Sequence, residues 1–180
     1  MAIRALVRLG VPTVAVADFD VLRDEKPLRQ IIEALGHGWS QFEPDWKLVK
    51  ASIESKKPDF SSDEVKREIE SELAKVQGTT FPDASKRSIL AVFRRSSPWT
   101  TAKSVGTAYV PNGQPTQAVE RLIRALRRIG LFVVESGELE SFDKSIGNHG
   151  PAWVNQVLQK DLKSDPALAA ARAFVEEFLS

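Results

Sequence analysis

Apolar positions along the chain fall into two patterns. Some recur every three or four residues and predict amphipathic helices, while two short unbroken runs predict buried strands. Over residues 2–9, Ile3, Leu6 and Val7 share one face and Arg4 and Arg8 another, predicting a short helix that Gly10 ends at C′. The β-branched and alanine run that follows predicts a strand over residues 13–17, buried on both faces as in a parallel sheet. It stops at Asp18-Phe19-Asp20. Pro27 at N1, with Leu28, Ile31, Ile32 and Leu35, predicts a helix up to Gly36, and His37-Gly38-Trp39 a loop.

Residues 40–105 read as a mainly helical insertion. Trp46, Leu48, Val49 and Ile53 mark one helix. Ser61 or Ser62, followed by Asp63 and Glu64, reads as an N-cap with first-turn acids before the stripe Val65, Ile69, Leu73 and Val76. The many charges of that helix read as a solvated face. A third helix is predicted over 83–94 with Ile89, Leu90, Val92 and Phe93 inward, and residues 96–106 read as a turn-rich, mobile segment. Pro115 opens the strongest helix, with Val119, Leu122, Ile123, Leu126 and Ile129 on its core face. Gly130 stops it, and residues 131–134 predict the second buried strand. Two last helices are predicted over 151–162, with Trp153, Val154, Val157 and Leu158 inward, and 166–179, with Leu168, Phe174, Val175 and Phe178 inward.

Both predicted strands end in acids. On a strand, Asp18 and Asp20 would share a face, about 7 Å apart. The second strand runs to Glu135 and then to Gly137-Glu138-Leu139-Glu140. If the strands are parallel neighbours, Asp18, Asp20, Glu138 and Glu140 converge where ligands sit in open α/β sheets. Carboxylates so gathered repel one another, and a hard cation such as Mg²⁺ removes that cost. A pair of ions about 3.5–4 Å apart would suit phosphoryl transfer. The alternative is that one aspartate caps the next helix and the others are solvated.

Size and composition narrow the class. With 180 residues, 42% hydrophobic and 27% charged, the chain reads as one soluble globular domain over 1–180. A net charge of +1 announces no nucleic-acid or membrane partner, so any DNA contact must come from a local patch. Arg121, Arg124 and Arg128 offer one along a helix face, with an exposed ion-paired face as the other reading. The chain has no cysteine, which excludes disulfides and thiolate chemistry and favours the cytoplasm. No segment has the length of a membrane span or a signal peptide. His37 and His149 sit beside glycines in predicted loops, with metal ligation as the lesser reading, and the tryptophans read as packing residues.

The segment from Leu9 through Asp18-Phe19-Asp20 into Leu35 resembles the Asp-x-Asp portion of a Toprim domain. Together with residues 130–134, Gly137-Glu138-Leu139-Glu140 and Gly150-Pro151-Ala152-Trp153-Val154, it resembles the C-terminal Toprim nuclease region of the overcoming-lysogenization-defect (OLD) family of ATP-dependent endonucleases. The resemblance implies an α/β fold with a small parallel sheet flanked by helices, and Mg²⁺- or Mn²⁺-dependent endonuclease hydrolysis of DNA phosphodiester bonds. It implies metal binding by Asp18, Asp20, Glu138 and Glu140, with Lys144 the candidate for the family's assisting lysine. The family's first strand, which carries a glutamate, has no counterpart here, nor does its ATPase domain; no G-x-x-x-x-G-K-[ST] occurs. The expectation is an incomplete site, weak or no nuclease activity from residues 1–180 alone, and an ATPase domain or another chain that completes it. An open sheet edge would then favour a homo-oligomer. Two alternatives remain. Asp-x-Asp also resembles the first motif of haloacid-dehalogenase-type phosphatases, although Val21-Leu22 replaces the usual Gly-Thr turn. The other is a non-catalytic regulatory or assembly module.

Overall fold

The computed structural model describes residues 2–56, 61–147 and 149–179. Helix α1 (Ala2–Arg8) leads to strand β1 (Ala15–Ala17), and helices α2 (Glu25–Ala34) and α3 (Glu43–Glu54) follow. Then come α4 (Ser62–Ala74), α5 (Asp83–Arg95), α6 (Pro98–Val105) and α7 (Gln114–Arg128), which feeds strand β2 (Leu131–Val133). Helices α8 (Pro151–Val157) and α9 (Ala169–Leu179) close the chain. Among the described residues the sheet has two strands, parallel, with Ala15 opposite Leu131, Val16 opposite Phe132 and Ala17 opposite Val133. This is a mostly helical α/β architecture around a very small sheet.

The core lies on one face of that sheet. Ala15, Ala17, Leu131 and Val133 point into a cluster built from Phe19, Leu22, Leu28 and Ile32, from Trp46, Val49 and Ile53 of α3, and from Val119, Leu122 and Leu126 of α7. Helix α7 is amphipathic as its spacing predicts, and it packs along α3. On the other face, Phe132 is covered edge-to-face by Phe174 and Phe178 of α9. That cover stops at β2. Val14 and Val16 remain 46% and 41% exposed, so β1 is not the strand buried on both faces that its composition suggests. Alanines and valines in a row predict a strand, but burial depends on whether a second layer reaches it.

Several expected elements differ. Proline 27 stands at the third residue of α2 rather than at N1, because the helix starts at Glu25. Of the expected insertion, α3 is core, and only the α4–α5 hairpin is peripheral; residues 57–60 lie outside the described residues. Ser61 is the N-cap of α4, in a capping box with Glu64, yet no residue of α4 is fully buried. On α5 only Val92 of the expected apolar set is buried, and Leu90 and Phe93 are 46% and 54% exposed. Helix α8 ends at Val157, leaving Val154 and Leu158 exposed, and α9 leaves Val175 exposed.

The segment 96–106, expected to be mobile turns, is instead α6. Ser97 caps it by accepting the Trp99 N–H, Pro98 fills its first turn, and Trp99 and Ala102 are buried three residues apart. The helix ends at Gly106 with φ +64°, and its last turn lies directly against the loop after β2. A Cβ on Gly106 would collide with the Glu135 carbonyl oxygen, and one on Gly137 with the Lys103 carbonyl oxygen. Only glycine at both positions lets the two backbones meet this closely. The Thr107 N–H donates to the Glu135 carbonyl at 2.9 Å across the same contact. This junction fixes α6 beside the acids that follow β2.

Candidate functional site at the carboxyl end of the sheet

The parallel pairing brings the two acid-bearing strand ends together. Beyond the ladder, the Val134 N–H donates to the Ala17 carbonyl at 2.9 Å and the Phe19 N–H to the Gly137 carbonyl at 2.6 Å. Strand β1 ends at Ala17, and Phe19 to Leu22 form a 3₁₀ turn, so Asp20 lies on that turn. Strand alternation therefore does not align the two aspartates. Asp18 occupies the cap position of the turn, yet its side chain makes no capping bond. Its Oδ1 instead accepts the Leu139 N–H at 3.1 Å, tying it to the loop that carries Glu138 and Glu140. The capping alternative does not hold for Asp18.

The two aspartates and Glu138 face one ammonium. Lys103 Nζ lies 3.4 Å from Asp18 Oδ2, 3.7 Å from Asp20 Oδ2 and 4.0 Å from Glu138 Oε2. Burial alone would lower the Lys103 pKa, but Asp20, Asp18 and Glu138 outweigh it and hold the pKa above its ordinary value. The ammonium is therefore firmly charged. Lys103 lies in the segment expected to be a loop, and the residue pattern alone did not single it out. The signal that finds α6 is Ser97-Pro98 as cap and first turn, with Trp99 and Ala102 at helical spacing.

Glu138 lies between Lys103 and His149, and Glu140 also approaches His149. The His149 Nδ1 stands 3.9 Å from Glu138 Oε1 and 4.0 Å from Glu140 Oε1, and ligand atoms of the three residues lie within 4.8 Å of one another. Glu140 also accepts the Gly150 N–H at 2.8 Å, and this backbone bond is the main reason its pKa is lowered. Both glutamates line a cleft of about 370 Å³ with Ser104, Lys144 and His149. Lys144 is exposed on that cleft, whereas the lysine that meets the acids is Lys103. Next to Lys144 in the chain, buried Asp143 pairs with Lys160 at 2.5 Å and accepts from Ser145, which holds its pKa below the usual carboxylate value.

The arginines of α7 meet different surroundings in the folded chain. Arg121 forks onto Asp45 of α3 at 2.6 and 3.2 Å, and neighbouring Arg127 bridges Glu135 and Glu177. Arg124 and Arg128 are exposed. Of the sequence candidates, Asp18, Asp20, Glu138 and Glu140 come together, Lys144 reaches the adjoining cleft, and Arg121 makes an exposed ion pair with Asp45. No helix among the described residues is long and apolar enough to cross a membrane. Neither protein-family models, nor curated proteins, nor solved structures give a match to this chain.

Proposed function

We propose that the acid end of the sheet is a divalent-cation site, and that the chain is a metal-dependent phosphodiester hydrolase domain acting on DNA. The observation carrying this reading is the convergence of Asp18, Asp20 and Glu138, from two strand ends far apart in sequence, on one cation position. Three carboxylates face one ammonium, with Glu140 beside them, and the excess negative charge favours a further cation. Bound there, Mg²⁺ or Mn²⁺ polarises a phosphoryl oxygen and acidifies a water. Glu138 and Glu140 would hold the cation, and Asp18 and Asp20 anchor Lys103 beside it. Lys103 offsets charge that develops on the phosphoryl oxygens, and Lys144 meets the phosphate from the cleft. Arg124 and Arg128 supply exposed positive charge for the DNA backbone.

Nicking of supercoiled plasmid by the full chain tests this reading. Slow cleavage that requires Mg²⁺ or Mn²⁺, stops on chelation and disappears in Asp20→Asn is the expected result. Intact plasmid under both ions, or undiminished nicking by Asp20→Asn, contradicts it. A non-catalytic module is the second reading, and Lys103 itself favours it: the ammonium already stands at the point where three carboxylates meet. In that case the plasmid stays intact under every condition.

A further inference from the structure

We propose that this end of the sheet is a two-position cation site, with Lys103 filling one position and a single transition-metal ion, ligated by Glu138, Glu140 and His149, filling the other. The inference rests on the divalent-cation reading above and is independent of DNA as the substrate. Glu138 divides its two oxygens between the positions. Its Oε2 faces Lys103 Nζ at 4.0 Å, and its Oε1 faces His149 Nδ1 at 3.9 Å. One carboxylate therefore reaches both the ammonium and the imidazole.

The spacing around His149 suits an ion better than hydrogen bonds. Separations of 3.9 and 4.0 Å from the imidazole nitrogen to the two glutamates exceed hydrogen-bond range. Donors bound at about 2.0–2.2 Å in a tetrahedral site stand about 3.3–3.6 Å apart, so a small inward shift of the three side chains would bring them onto one ion. The remaining coordination positions open into the cleft of about 370 Å³, which admits water or a substrate oxygen. The donor set also selects the ion. Mg²⁺ prefers oxygen ligands in near-ideal octahedral geometry, whereas a mixed imidazole and carboxylate set favours Mn²⁺, Co²⁺ or Zn²⁺.

Lys103 accounts for the stoichiometry. An ammonium close to Asp18, Asp20 and Glu138 excludes a second divalent ion from among them by like-charge repulsion. The backbone junction at Gly106 and Gly137 keeps the helix carrying that ammonium against the acid loop. The second cation is thus part of the polypeptide.

Calorimetric titration of the full chain with Mn²⁺, and in parallel with Mg²⁺, tests the proposal. One Mn²⁺ per chain is expected, bound more tightly than Mg²⁺. In His149→Ala, whose wild-type side chain is 75% exposed and so is dispensable for folding, Mn²⁺ affinity should fall at least tenfold and the preference over Mg²⁺ should narrow. Lys103→Met should admit a second Mn²⁺, which Asp18→Asn in the same chain removes. Two ions in the unaltered chain, no Mn²⁺ binding, or binding unchanged in His149→Ala overturns the proposal. Were Lys103→Met not to fold, Lys103→Gln and the histidine variant decide it. Plasmid left intact by a chain that binds one Mn²⁺ counts against the nuclease reading alone.

Discussion

On the α4–α5 hairpin Glu64 closes a capping box with Ser61, Glu70 pairs with Lys66, Glu72 with Lys75 and Glu68 with Arg95. At the carboxyl end of the sheet, Asp18, Asp20 and Glu138 face Lys103, with Glu140 and His149 beside them. The hairpin is the richer in charge, yet its pairs are solvated and each such pair adds little to stability. The sheet end carries an imbalance, held in place by backbone contacts that the charges do not make. The hairpin's charge is balanced and solvated; the imbalance at the sheet end is what the proposed cation site rests on.

Two glycine substitutions separate the regions most sharply. Gly137 has φ +116° and no room for a Cβ against the Lys103 carbonyl, so Gly137→Ala should cost about 3 kcal/mol or more and abolish Mn²⁺ binding. Gly78, between α4 and α5, has φ +87° but open space around it, so Gly78→Ala should cost only about 1 kcal/mol and leave Mn²⁺ binding intact. Thermal denaturation with metal titration of both variants checks the contrast. Equal losses would mean that the junction does not organise the site.

A smaller effect follows from pH. Lys160 and Ser145 hold the Asp143 pKa below its ordinary value of about 3.9. A depressed folded-state pKa contributes stability that is present above the unfolded value and is lost as pH falls through the folded one. Between pH 6 and pH 3, roughly the range that brackets that ordinary value, melting temperature should drop, and Asp143→Asn should flatten the part of the drop below about pH 4. Circular dichroism melts measure it. An unchanged pH profile in Asp143→Asn contradicts a stabilising Asp143–Lys160 pair.

Much of the fold is legible in the sequence because periodicity reports directly on α7, α3 and the two strands. Val119, Leu122 and Leu126 could face only a core, and Gly10 and Gly130 stop their helices at φ +72° and +82°. Burial at the periphery was not legible. Leu90, Phe93, Val154 and Leu158 have helical spacing but no layer packed over them, and β1 lacks a cover that β2 receives from α9. The carboxylate half of the site followed from two acid-tipped strands. Its cationic half did not, because Lys103 arrives through a close backbone approach at Gly106 and Gly137, a tertiary contact with no local signature.

Anomalous diffraction from crystals of the full chain soaked in Mn²⁺ tests the central claim most directly. The expected result is one anomalous peak within ligand distance of Glu138, Glu140 and His149, with the Lys103 ammonium still among Asp18, Asp20 and Glu138. No peak at those residues under saturating Mn²⁺, or a peak that displaces Lys103 from the aspartates, would contradict it.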